Sequence, residues 1–166
     1  PAQNFAAGNG PVSVVLGDVN GDRIDDIVTA NQESDDVSVL RGNGDGTFQA
    51  AQNFAAGDRP KSVVLGDVNG DGIDDIVTTN DISDDVSVLR GNGDGTFQAA
   101  QNFAAGDGSR SVVLGDVNGD GIDDIVTANG DSDDVSVLRG NGDGTFQAAQ
   151  NFAAGDAPYS VVLGDV

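Results

Sequence analysis

The sequence predicts an all-β chain built from three near-identical units of four short antiparallel strands. Three observations lead there. Asp18, Asp67, Asp116 and Asp165 stand 49 residues apart, and the residues between them repeat almost letter for letter. Each period carries four segments of β-branched or alternating apolar character. Between those segments glycine, asparagine and aspartate cluster, with 25 glycines in 166 residues, which marks tight turns. The period is read first because it decides the architecture.

Within the second period the first strand is "SVVLGDV" (62–68), whose "SVVL" is expected to face between neighbouring units. The second is "DIVTTN" (75–80), and the third is "DVSVLRGN" (85–92), where "VSVL" alternates cleanly. A dense turn signal, "GNGDGT", follows it. The fourth segment, "FQAAQNFAAG" (97–106), has the alanine and glutamine of a helix former. It is too short between glycines for a stable helix, so it reads as an outer strand. Four strands in a period of this length describe a β-propeller blade. The single repeat array over 1–166 then divides into an outer strand and inter-blade loop (1–12), blades at 13–57, 62–106 and 111–155, and the inner strand of a further blade at 160–166. Residues 148–166 re-read the register of 1–19.

Composition narrows the chemistry. The formal charge is −21, and the chain contains no His and no Cys. Such acidity repels nucleic acid and anionic membrane surfaces, whose capture depends on Lys and Arg, and makes cations the natural partners. Without Cys there is no disulfide framework or thiolate site; without His the commonest general base is missing. No apolar run approaches the ~20 residues that span a bilayer. The chain starts at Pro1 rather than Met, the mark of a processed product or a fragment.

The first loop of each period carries the strongest site signal. In "DVNGDGIDD", side-chain oxygens fall at alternate positions on Asp67, Asn69 and Asp71, then on Asp75, and the carbonyl of Ile73 falls between. An all-oxygen set at this spacing suits Ca²⁺, a hard cation. Gly72 permits the positive φ of a sharp turn. The third copy offers Asp116, Asn118, Asp120, Ile122 and Asp124 in the same roles. The first offers Asp18, Asn20, Asp22, Ile24 and Asp26, but Arg23 replaces the glycine, so it is expected to bind most weakly. The fourth copy stops at Asp165-Val166 and cannot form a site alone. The competing reading is an Asx-rich turn without metal; against it, converging carboxylates repel unless a cation neutralises them. "GNGDGT" has too few spaced ligands and reads as a turn. The adjacent Asp74 and Asp75 point to opposite faces of a strand and cannot flank one bond as a glycosidase pair does. The expectation is that the chain is not an enzyme.

Comparison of the repeats with one another locates a second candidate surface. Counted from Pro1, they differ at positions 1, 9–12, 23, 30, 32 and 33. Positions 9–12 and 30–33 are expected on the face opposite the metal loops, where Arg59, Lys61, Arg110 and Tyr159 form a candidate partner face near Gln32, Glu33, Asp81, Ile82 and Asp131. Loops on a rigid scaffold carry recognition, although exposed loops also tolerate change. Arg41, Arg90 and Arg139 recur in the third strand, where neighbouring aspartates are expected to pair with them.

"LGDVNGDGIDDIV" followed by "DVSVLRGNGDGTF" resembles the FG-GAP/VCBS repeat family, the integrin α-subunit type of propeller, over essentially the whole chain. The literal "FG" is replaced by "NFAAG", and "GAP" survives as "GDAP" (155–158). The resemblance implies the propeller form of the Ca²⁺ loop, closed directly by Asp75, and a secreted or cell-surface module that binds an extracellular protein or carbohydrate. The alternative is a structural array that self-assembles, since near-identical copies suit amplification or design. Three blades make an arc, so a homo-oligomer completing a ring, or a longer parent array, is expected.

Overall fold

The structure, a computed structural model, describes residues 2–164. Asp165 and Val166, where the fourth copy of the metal loop would begin, lie outside the described residues. Twelve strands form three four-stranded antiparallel meanders, with no helix among the described residues. The first comprises β1 (Pro11–Gly17), β2 (Asp26–Asn31), β3 (Asp36–Leu40) and β4 (Gln52–Ala55). The second comprises β5 (Pro60–Gly66), β6 (Asp75–Asn80), β7 (Asp85–Leu89) and β8 (Gln101–Ala104). The third comprises β9 (Ser109–Gly115), β10 (Asp124–Asn129), β11 (Asp134–Leu138) and β12 (Gln150–Ala153).

Strand parity builds the core. In β6, Ile76 packs toward the first sheet with Val63, Leu89 and Phe97, whereas Val77 packs toward the third with Val86, Val88 and Val112. The middle sheet thus buries both faces, and its central strands read as continuous apolar runs. Burying each such Val, Ile or Leu contributes about 1.5–3 kcal/mol. At the rim, Phe54 meets Phe97 and Phe103 meets Phe146 edge to face, both at 5.3 Å.

Neighbouring sheets meet through their first strands, β1 against β5 and β5 against β9, and the row does not close. Polar bonds repeat at each joint. The Gly57 amide donates to Ser87 Oγ of the next sheet at 2.9 Å, and Ser87 is also held by Asn80 and Asn102. Gly8 with Ser38, and Gly106 with Ser136, repeat the arrangement.

The fourth element is shorter than the sequence implied. Only Gln101–Ala104 is strand, while Phe97 makes an isolated bridge with Gly91. Residues 2–7 and 160–164 carry no strand, where the sequence predicts an outer and an inner strand. Neither has a sheet of its own to pair with. They nevertheless occupy strand-like places: Phe5 packs edge to face on Phe48, and the Val161 amide reaches Ser111 Oγ at 3.3 Å.

Candidate functional site

The loops after β1, β5 and β9 lie at one end of the sheets, with the "GNGDGT" turns beside them. Each loop is wound around its first aspartate. Asp67 accepts the amides of Asn69, Gly70 and Asp71 on one oxygen and that of Gly72 on the other, at 2.7–3.3 Å. Burial works to raise the Asp67 pKa, but these amides outweigh it and hold the carboxyl below its ordinary value. Asn69 and Asp71 cap later turns by accepting the amides of Asp71 and Ile73. The Ile73 side chain packs on Gly91 and Gly93 of the adjacent turn, close enough that a Cβ on Gly91 would fall 2.8 Å from it.

Asp75 is the odd member. It is fully buried and accepts the amides of Val68 and Gly91 at 3.1 and 2.8 Å. Burial first, then the charges of Asp71 and Asp67, push its pKa up to about 6 despite those bonds. Among the described residues no cationic side chain forms an ion pair with it. Asp26 repeats the arrangement, with its pKa raised first by burial and further by Asp22 and Asp18. Asp124 accepts Val117 and Gly140 in the same way.

The first, third, fifth and ninth members of each loop are therefore brought together, but not as a preformed cage. Among the described residues no three acidic side chains converge as a metal site, because the first aspartate is turned onto loop amides. The donor chemistry fits Ca²⁺: every contributor is an oxygen, and each loop closes on a buried carboxylate near like charges. Gly72 and Gly121 have φ of 80° and 83°, and Arg23 is forced to 68° at the same register. Asp74 points away from Asp75, toward the neighbouring sheet. Its pKa is raised by burial, then by Asp67 and Asp18.

Arg41 reaches the backbone carbonyl of Asp94 in the next sheet at 3.5 Å, and its charge adds to the Thr96 hydrogen bonds that hold the Asp94 carboxyl below its ordinary pKa. One expectation about the variable positions needs correction. Position 30 is not on the exposed face, since Ala30, Thr79 and Ala128 are all fully buried in the second strands.

The other variable positions do meet at the opposite end. Backbone bonds from Gln32 to Gly10, Asp81 to Arg59 and Gly130 to Gly108 join each β-turn to the linker beside it. Arg59, Lys61 and Arg110 gather around Asp81 at 3.7–3.9 Å. Arg110 also binds Asp131 at 2.6 Å and lies 6.0 Å from the Tyr159 ring centroid. Sequence reading missed Asp35, Asp84 and Asp133, which adopt positive φ and hold the linker amides of Arg59, Gly108 and Ala157. Their invariance across the repeats was the available signal.

A fold of repeated four-stranded sheets with an Asp-rich loop after each first strand defines a repeat-based β module. The chain belongs to the FG-GAP-like repeat family, whose model matches residues 18–78, 67–127 and 116–166. No curated protein matches it by sequence. Among solved structures it is similar to a protein of unknown function from Desulfotomaculum acetoxidans, at 13% identity and a TM-score of 0.63, over 93% of this chain and 50% of that one. It is also similar to a Tc holotoxin pore from Photorhabdus luminescens, at 17% identity and a TM-score of 0.51, over 87% of this chain and 7% of that one. The chain thus spans half or less of either protein, and the likeness concerns the fold alone.

Proposed function

We propose that the chain is a Ca²⁺-binding, propeller-type module of the extracellular space that binds a partner and performs no catalysis. The observation that carries this reading is the buried carboxylate closing each oxygen-lined loop, Asp75 above all, with no cationic side chain paired to it among the described residues. In this reading Asp67, Asn69, Asp71, Asp75 and the Ile73 carbonyl hold the ion, which supplies charge neutralisation and ties the loop to its sheet. Each ion bound removes two negative charges from a chain of −21. Isothermal titration with Ca²⁺ should give heat that EDTA abolishes, together with a higher melting temperature. Absence of both would overturn the metal assignment.

A second reading, self-assembly, is favoured by the ends of the row. Val14 and Leu16 on β1 are 64% and 59% exposed, whereas Val63 and Val112 at the register of Val14 are buried. A second copy or a further blade would cover that face.

A further inference from the structure

We propose that the end opposite the metal loops carries a binding groove for a neutral pyranose sugar, seated among Lys61, Asp81, Arg110 and Tyr159. The proposal deepens the binding-module reading and rests on it. A groove of about 490 Å³ opens here between the starts of successive first strands, within the range of small-ligand sites.

Two of the registers at which the repeats differ meet at this groove, and their residues are matched to one another. One register of the first strand carries Val12, Lys61, Arg110 and Tyr159 in four otherwise near-identical copies, and all four line the groove. Across from it stand Gln32, Asp81 and Gly130 at another shared register. Gly130 leaves the space that the Arg110 guanidinium fills, since a Cβ there would collide with it. Arg110 then reaches both Asp131 and Asp81. Lys61 completes the set with a 2.7 Å bond to Gln32. Unconstrained drift of exposed loops would not fit a large residue to its neighbour's missing side chain.

The chemistry of the lining selects the ligand. Lys61 and Arg110 line the groove with Asp81, and each is already engaged, Lys61 by Gln32 and Asp81 and Arg110 by Asp81 and Asp131, so donors and acceptors alternate. Ser13, Ser62 and Ser111 each accept one backbone bond at 3.3–3.4 Å and keep a hydroxyl proton to donate. Tyr159, itself 77% exposed, lines the groove. Alternating donors and acceptors match vicinal hydroxyls, which do both, and the ring can stack on the apolar face of a pyranose. An anionic ligand would displace Asp81 and meet the field of a chain at −21.

Saturation-transfer NMR on the full chain in Ca²⁺ tests this, with the methyl glycosides of galactose, mannose, fucose and N-acetylglucosamine, and glucuronate beside them. Transfer to at least one neutral glycoside is expected, with Tyr159→Ala weakening it about tenfold, a typical loss for a Tyr anchor. Lys61→Val, which installs the residue the first repeat already tolerates, should weaken it as well. The Ca²⁺ heat should be unchanged in both variants, which separates this site from the metal loops. No transfer to any neutral glycoside, transfer to glucuronate alone, or transfer that survives both substitutions overturns the proposal.

Discussion

Replacing Thr79 by valine should make the protein more stable. Thr79 is fully buried in β6, and its hydroxyl has no hydrogen-bond partner. The damage extends one residue further. In the first and third sheets Thr29 and Thr127 donate to Asn31 and Asn129 at 2.9 and 2.8 Å. In the second sheet Thr78 turns instead to the carbonyl of Thr79 at 3.3 Å, and Asn80 Oδ1 is left without a donor. An unsatisfied buried polar atom costs about 1–3 kcal/mol. Valine keeps the branched shape and removes the hydroxyl, so a gain of about 1–2 kcal/mol is expected. For a domain of this size that raises the melting temperature by roughly 2–8 °C. Thr79→Ala should gain less, because it also loses a buried methyl worth about 0.8 kcal/mol. Alanine is tolerated there, since Ala30 and Ala128 hold the same register. Calorimetric melts at fixed Ca²⁺ read both variants. A valine variant no more stable than the parent would refute the reasoning.

The remaining expectations concern charge, backbone and assembly. With EDTA present, ionised Asp75 opposes folding, because its folded pKa of about 6 lies above the ~3.9 of the unfolded chain. Its favourable contribution is therefore complete below about pH 4 and is lost as pH rises through 6, a change of roughly 3 kcal/mol. Asp75→Asn should flatten that dependence in urea titrations, and a slope unaltered by the substitution would remove Asp75 as its source. Arg23→Gly relieves a φ of 68° and should add up to about 1 kcal/mol and tighten Ca²⁺ in the first loop; calorimetry showing a weaker first loop would contradict this. Light scattering should show masses above the 16.7 kDa of one chain, since exposed Val14 and Leu16 favour association; a lone monomer with a cooperative melt would count against it.

Much of this fold was legible because the repeat printed it three times. Period-two patterning in "VSVL" sends Val86 and Val88 to one face and Leu89 to the other. The positive φ at Arg23 was readable from Gly72 and Gly121 at its register. Other features were hidden for physical reasons. Ligand spacing does not reveal that Asp67 turns onto loop amides, because amides and cations compete for the same lone pairs. The extent of β8 was overstated, since alanine and glutamine near Phe97 carry little alternation. Nothing in the local sequence shows Arg110 entering the space beside Gly130, a contact across two loops.

The serine joints have a consequence for how such chains can diversify. Gly8–Ser38, Gly57–Ser87 and Gly106–Ser136 have the same partners and lengths of 2.8–2.9 Å, so each joint is interchangeable with the others. Stability in such a row is close to a sum of unit and nearest-neighbour terms. Units could therefore be reordered, duplicated or recombined with little change in cooperativity, while the sequence of side chains around the groove is rewritten each time. The scaffold behaves as a shuffled deck whose backs are nearly identical and whose faces differ mostly at one rim.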